Sequence, residues 1–187
     1  MIDKRLIAFV LLVAAPAAGD VPFWAPRSAF AGGYLNQAVT PQLRLGWEAA
    51  VLEQKNDQLV LLFEGGGGYG LPPLPSNAGE SGHRQLTLFY QHALMAGVGY
   101  RLTRPSGFHF GFQLATGPLF FGARYPDGPS ENKVLGFLEG RLQVGMKAGG
   151  AVYGLSVGYG SAYEAPRRSD AYDYVGGPML GLFANWR

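Results

Sequence analysis

A long stretch of two-residue alternation constrains this chain more than any other feature. Between residues 84 and 102, apolar side chains recur at almost every second position, and smaller or more polar residues lie between them. A period of two is typical of a strand with two unlike faces. Strands of soluble proteins usually contain about five or six residues, whereas a tilted strand that crosses a bilayer needs roughly 9 to 11. The length therefore favours a membrane β-barrel that is apolar outside and polar inside.

The N-terminal segment has the three parts of a secretory signal peptide. Lys4 and Arg5 precede an apolar run from Leu6 to Ala15, and small residues up to Ala18 offer a cleavage site. The apolar run is too short to span a membrane as a helix, and an uncleaved anchor or a buried strand accounts for the pattern less well. We predict a signal peptide over residues 1–18 and one outer-membrane barrel domain over residues 19–187, which implies a Gram-negative bacterium.

Composition excludes several classes of protein. The 187 residues include no cysteine, which excludes a disulfide framework and any cysteine-based nucleophile or metal site. Fifteen basic and 13 acidic residues give a net charge of +2, too even a balance for a nucleic-acid-binding protein. Three isolated histidines do not make a metal site. We therefore expect no cofactor, no metal and no nucleic-acid partner.

Eight segments have the character of strands, and their connections alternate in length. Short connections lie near residues 55–57, 103–107 and 148–150, and longer ones near 71–84, 125–132 and 165–171. Outer-membrane barrels place short turns in the periplasm and long loops outside the cell. We predict an all-β, eight-stranded antiparallel up-and-down transmembrane β-barrel. A soluble β-sandwich or lipocalin-like barrel, the alternative, explains neither the loop pattern nor the strand lengths. The predicted strands are roughly 28–39, 42–54, 58–71, 85–102, 108–124, 133–147, 151–164 and 172–186.

Two prolines lie inside the predicted strands. Pro118 and Pro178 each lack the backbone N–H that a strand donates to its neighbour. We expect a β-bulge or an early strand end at both positions.

The inward-facing positions of the predicted strands carry charged residues. If the turn after the second strand is centred on Asn56, Glu48 lies opposite Glu64, and two adjacent carboxylates need a cation between them. Paired carboxylates can act as general acid and base. An eight-stranded interior, however, is only wide enough for its own side chains. We therefore predict a structural network that closes the lumen to solutes, formed by Arg44, Glu48, Glu64, Glu139 and Arg141.

The whole pattern resembles the small bacterial outer-membrane barrels of the OmpA and OmpX type. The resemblance is one of architecture and covers nearly the whole mature chain. In addition, the alternating segment Leu180 to Trp186 is similar to the C-terminal signal recognised during barrel assembly, although Arg187 follows the final aromatic residue. The resemblance implies an outer-membrane location with lipids and lipopolysaccharide as surroundings.

The longest loop contains residue types that could support catalysis. It carries serine, acidic and histidine side chains, the ingredients of nucleophilic activation. Ser76 and Asn77 are similar to part of the His-x-Ser-Asn motif of lipid A deacylases. However, Leu74 occupies the position of the motif's histidine, and a loop rich in proline and glycine does not fix catalytic geometry. We predict no catalytic residues; the alternative is a lipid-modifying enzyme of the deacylase or acyltransferase type.

The remaining candidates for function lie in the predicted extracellular loops. Loops carry binding residues on a scaffold whose walls are committed to lipid. We expect a non-enzymatic structural or surface-interaction protein whose partners are outer-membrane lipids, lipopolysaccharide and an envelope or surface protein. The loop residues that we expect to make these contacts are Glu80, His83, Arg84, Arg167 and Arg168.

Overall fold

A computed structural model describes residues 24–36, 38–71, 86–126, 128, 130–163 and 170–186. Eight antiparallel strands form a closed barrel in which each strand pairs with its neighbours along the chain and the first strand pairs with the last. Closure leaves no unpaired sheet edge. The predicted eight-stranded antiparallel barrel is therefore confirmed. The strands are β1 (Ser28–Leu35), β2 (Val39–Glu53), β3 (Asp57–Tyr69), β4 (Leu88–Thr103), β5 (Phe108–Arg124), β6 (Glu131–Ala148), β7 (Ala151–Ala162) and β8 (Gly177–Trp186).

The outer surface of the barrel is an apolar belt. Along β4, β5 and β6, buried and exposed residues alternate over most of each strand, as the two-residue pattern predicts. The exposed positions hold large hydrophobic side chains such as Leu61, Leu94, Val134 and Leu155. A contiguous apolar surface of this extent is unusual on a soluble monomer. No helix in the described part of the chain is long and apolar enough to cross a membrane.

The two ends of the barrel differ in their connections. At one end, which we call the short-turn end, β2–β3, β4–β5 and β6–β7 are joined by residues 54–56, 104–107 and 149–150. At the other end, the long-loop end, the connections after β3, β5 and β7 are longer, and β1–β2 is joined by residues 36–38. The start of β1 and the end of β8 both lie at the short-turn end. This arrangement matches the predicted alternation of turns and loops.

Strand boundaries differ most from the sequence-based expectation at two connections, after β1 and before β8. The first turn lies at residues 36–38 instead of Thr40–Pro41, and Pro41 lies within β2, opposite Gly33. The last strand begins at Gly177 instead of residue 172, because a short 3₁₀-helix covers Asp170–Tyr174. Gly176 and Gly177 then adopt positive φ angles of 68° and 102°. Side chains disfavour such angles, and the glycines allow the chain to turn from this helix into β8.

The prolines have smaller effects than the sequence predicts. Pro118 remains within β5 and pairs with Gly136 of β6. On its other side, the β4–β5 ladder is interrupted between the pairs Ala93–Leu119 and Ala96–Thr116, but the register on either side is the same. The expected bulge is therefore absent at Pro118. Pro178 is the second residue of β8, at the beginning of the strand as expected of a residue without an N–H.

Candidate functional site

The centre of the lumen contains a closed cycle of four charged side chains. Arg44 projects from β2, Glu64 from β3, and Glu139 and Arg141 from β6, all at inward positions of their strands. Arg44 Nη1 lies 2.8 Å from Glu139 Oε1 and 4.0 Å from Glu64 Oε2. Arg141 Nε lies 3.1 Å from Glu139 Oε1, and Arg141 Nη2 donates to Glu64 Oε2. Each arginine thus contacts both glutamates, and the cycle carries no net charge.

Two aromatic residues of β1 complete this central cluster. The Tyr34 hydroxyl accepts a hydrogen bond of 2.7 Å from Arg44 Nη2 and donates one to Glu139 Oε2. The Phe30 ring lies beneath both guanidinium groups, 5.9 Å from Arg44 Cζ and 5.5 Å from Arg141 Cζ. At such distances an aromatic face attracts a cation. The central cluster of Phe30, Tyr34, Arg44, Glu64, Glu139 and Arg141 therefore connects one wall of the barrel to the opposite wall.

Burial makes the pairing within this cluster essential. Each of the four charged residues is at most 4% exposed. Removing a charge from water costs several kcal/mol unless its partners compensate. Here each charged group contacts two groups of opposite charge and forms hydrogen bonds as well, and these contacts supply the compensation. The paired charges thus occupy the centre of the barrel and hold strands β2, β3 and β6 together.

A glycine of β3 makes room for Arg44. Gly66 faces the lumen directly opposite Arg44 in the β2–β3 ladder. A Cβ atom at Gly66 would lie 2.8 Å from Arg44 Cγ and 2.1 Å from the carbonyl oxygen of Leu43. The second distance involves backbone that cannot move aside easily. Glycine at this position therefore allows the Arg44 side chain to cross the face of β3 toward Glu139.

The structure separates Glu48 from the central cluster. The prediction that Glu48 lies opposite Glu64 is wrong, because Glu48 pairs with Leu62 while Glu64 pairs with Gly46. The turn is not centred on Asn56: Gln54 and Asp57 exchange backbone hydrogen bonds, and the register then shifts between Ala50 and Leu52. Glu48 forms its ion pair with Arg101 of β4 instead. The lumen thus contains a second ion pair.

The long-loop half of the lumen holds large apolar side chains beside the buried Thr40, Gln42 and Gln91, which corrects the expectation of a polar interior throughout. Inward positions of β4, β5 and β6 carry Phe89, Phe121 and Phe137, each at most 1% exposed. The Tyr174 ring, from the 3₁₀-helix, lies 5.7 Å from the Phe89 ring. Ala171 and Val175 belong to the same hydrophobic cluster. We call Phe89, Phe121, Phe137 and Tyr174 the aromatic cap, because they cover the central cluster toward the long-loop end.

Parity in the sequence could have revealed the aromatic cap. Phe89 is two positions from the inward-facing Gln91 on β4, and Phe137 is two positions from the inward-facing Glu139 on β6, so both point to the same side as these polar residues. These apolar residues lie at inward positions, where the sequence predicts polar ones. Apolar side chains therefore occur on both faces of these strands near the long-loop end. The contribution of Tyr174 carries no such signal, since the 3₁₀-helix interrupts the alternation.

The predicted loop residues lie outside the described residues. These are Glu80, His83, Arg84, Arg167 and Arg168, together with Ser76 and Ser81. Among histidines within the described strands, His92 is exposed on the outer face, whereas His109 is buried and lies 2.9 Å from the Thr103 hydroxyl. The described part of the chain contains no group of three or more residues that could hold a metal ion.

Comparison with known proteins identifies the fold of this chain but no family to which it belongs. No protein-family model matches the chain, and no curated protein matches it either. Among solved structures, the outer membrane enzyme PagL is 18% identical with a TM-score of 0.53, and the match covers 87% of this chain and 99% of PagL. Neisserial surface protein A (NspA) is 9% identical with a TM-score of 0.55, covering 85% of this chain and 92% of NspA. The chain thus has the fold of the small eight-stranded outer-membrane barrels, as its architecture suggested.

Proposed function

We propose that the mature protein is a non-enzymatic barrel of a Gram-negative outer membrane, with residues 1–18 removed as a signal peptide. Its long-loop end faces the cell exterior and presents the surface through which it acts. The apolar belt supports insertion into a bilayer, and the fold shared with PagL and NspA supports the outer membrane as that bilayer.

The side chains that occupy the lumen support a non-enzymatic barrel. The central cluster and the aromatic cap occupy successive levels of the interior, and every member of both is at most 5% exposed. An interior of this width has no room for solute once its own side chains fill it. The apolar outer wall contacts lipid and the interior is occupied by side chains. The loops are therefore the part of the barrel that can bind a partner.

The proposed partners are outer-membrane lipids and lipopolysaccharide, with an envelope or surface protein as a further candidate. Lipopolysaccharide carries phosphate groups, which cationic side chains bind well. Arg84 belongs to the segment between β3 and β4, and Arg167 and Arg168 belong to the segment between β7 and β8. We expect these three arginines, together with Glu80 and His83, to form the recognition surface.

Lipopolysaccharide retention tests this proposal. A variant with Arg84, Arg167 and Arg168 changed to glutamine is extracted from outer membranes in non-ionic detergent beside the native protein. The variant should retain less lipopolysaccharide, while it still shows the heat-modifiable mobility of a folded barrel. The control carries Arg104→Gln at the short-turn end and should retain the native amount. Equal retention by the loop variant and the native protein would refute a role for these arginines.

A lipid-modifying enzyme is the second candidate. It is supported by Ser76 and Asn77, which resemble part of a deacylase motif, and by the fact that one protein of this fold, PagL, is described as an enzyme. The assay incubates the folded barrel with purified lipid A and with phospholipid and separates the products by mass spectrometry. Our proposal expects no turnover. Turnover that is lost in Ser76→Ala, Ser81→Ala or His83→Ala, without loss of folding, would establish the enzyme instead.

A further inference from the structure

The short-turn end of the barrel carries three cations on neighbouring connections. Lys55 lies in the β2–β3 turn, Arg104 in the β4–β5 turn, and Lys147 near the end of β6. The turns are joined side by side: Thr103 N donates to Asn56 O, and Lys147 N donates to Gly107 O, both at 2.8 Å. We call Lys55, Arg104 and Lys147 the basic arc, since they follow one another around this half of the rim.

The cations of the basic arc are available to an external ligand. All three residues are exposed. None of them forms an ion pair within the described part of the chain. Glu53 and Asp57 are two positions from Lys55 in the sequence, and their carboxylates accept hydrogen bonds from Gln58 and Tyr100. Arg104 and Lys147 have no acidic neighbour in their turns.

The apolar belt begins directly beside the arc. Phe108, next to the Arg104 turn, is 38% exposed, and Met146, next to Lys147, is 53% exposed. Tyr100, which contacts Asp57 in the first turn region, is also exposed on the outer face. Aromatic rings favour the boundary between headgroups and acyl chains. The cations therefore lie at the level at which the phosphates of a bilayer leaflet would surround the barrel.

We propose that the basic arc binds the headgroups of anionic phospholipids in the leaflet on the short-turn side. This inference rests on the proposed function, which places that end in the periplasmic leaflet. A cation near an anionic membrane surface contributes about 1 kcal/mol, or roughly fivefold in binding. Three neighbouring cations bind anionic lipids in preference to zwitterionic ones, and so enrich anionic lipid around one side of the barrel.

The test measures which lipids the barrel retains. The mature protein is folded into vesicles of equal parts phosphatidylglycerol and phosphatidylethanolamine, extracted in non-ionic detergent, and analysed by native mass spectrometry. The native protein should retain phosphatidylglycerol several-fold over phosphatidylethanolamine, and the triple variant Lys55→Gln, Arg104→Gln, Lys147→Gln should lose that preference. Equal retention of the two lipids by the native protein, or an unchanged preference in the triple variant, would overturn the inference.

A matched pair of variants locates the effect at one end of the barrel. Arg104 precedes β5, and the exposed Arg124 ends the same strand at the long-loop end. Arg104→Gln should lower the phosphatidylglycerol preference to part of its native value, because it removes one of the three cations, and Arg124→Gln should leave it unchanged. If both changes lower the preference equally, the net charge of the protein determines the preference for phosphatidylglycerol, and the basic arc does not.

A separate measurement distinguishes failure of the arc from failure of the proposed function. Trp24 is 68% exposed, and its carbonyl oxygen accepts a 2.7 Å hydrogen bond from Trp47 Nε1 beside the start of β1. Phosphatidylcholine with brominated acyl chains should quench the fluorescence of these residues if the barrel is inserted. Quenching without lipid preference overturns the arc alone. Absence of quenching overturns membrane insertion, and the arc with it.

Discussion

The side chains at the centre of the barrel show why a charged interior is stable here. Every charge in the cycle of Arg44, Glu139, Arg141 and Glu64 faces two opposite charges. A buried charge that loses its partner is strongly destabilising, whereas an exposed pair contributes little. Substitutions within the cycle should therefore cost far more than substitutions of an ion pair that water reaches.

Glu139→Gln tests this expectation. Glutamine keeps the shape of the side chain but leaves two buried guanidinium groups facing one carboxylate. We expect a loss of about 3–5 kcal/mol in the free energy of unfolding, measured by urea titration of the barrel in vesicles. The control is Lys133→Gln, which removes the more accessible Lys133–Glu131 pair and should cost less than about 1 kcal/mol. Similar losses for the two variants would contradict the account.

Tyr34→Phe tests the hydroxyl that bridges Arg44 and Glu139. The substitution removes two hydrogen bonds to charged groups and leaves both partners buried. We expect a loss of about 1–3 kcal/mol. Tyr159→Phe, at a 60% exposed position of the outer belt, is the matched control and should change stability little. If Tyr34→Phe left the free energy of unfolding unchanged, the hydroxyl would not stabilise the cluster.

At the scale of elements, the strands follow from the sequence more closely than their connections. β5 begins and ends where alternation predicts, and the ranges of β4 and β6 differ by a few residues. The two-residue period does not determine which residues of neighbouring strands pair. The sequence therefore does not predict the register shift between Ala50 and Leu52, which moves Glu48 away from Glu64. The 3₁₀-helix was missed for a related reason: its residues pack through Ala171 and Tyr174 onto distant strands.

The turn from the 3₁₀-helix into β8 depends on the backbone of Gly176. Its φ of 68° and the carbonyl oxygen of Gly160, 2.4 Å from an added Cβ, both oppose a side chain. Gly176→Ala should lower the free energy of unfolding by more than about 1 kcal/mol. Gly150→Ala is the control, since a Cβ there meets nothing within 4 Å. Unfolding titrations that rank the two alanine variants in the opposite order would contradict this explanation.

For the whole molecule, the structure combines an apolar belt outside, paired charges at the centre and aromatic rings toward the long loops. Alternation and loop lengths predict the barrel and its charged residues, because both follow from local geometry. They do not predict the individual ion pairs across the lumen or the separate partner of Glu48, since these depend on strand register and barrel closure. Arg44, Glu64, Glu139 and Arg141 are brought together from β2, β3 and β6, and Glu48 is directed to Arg101.

Ion conductance shows whether the lumen of the barrel is closed. The mature barrel is inserted into a planar lipid bilayer, and current is recorded under an applied voltage in concentrated salt. Heat-modifiable mobility of the same sample confirms that the barrel is folded, and a known porin confirms that the bilayer reports open channels. The account predicts no steady current above that of the bare bilayer. A sustained, stepwise conductance that rises with each inserted barrel would contradict it.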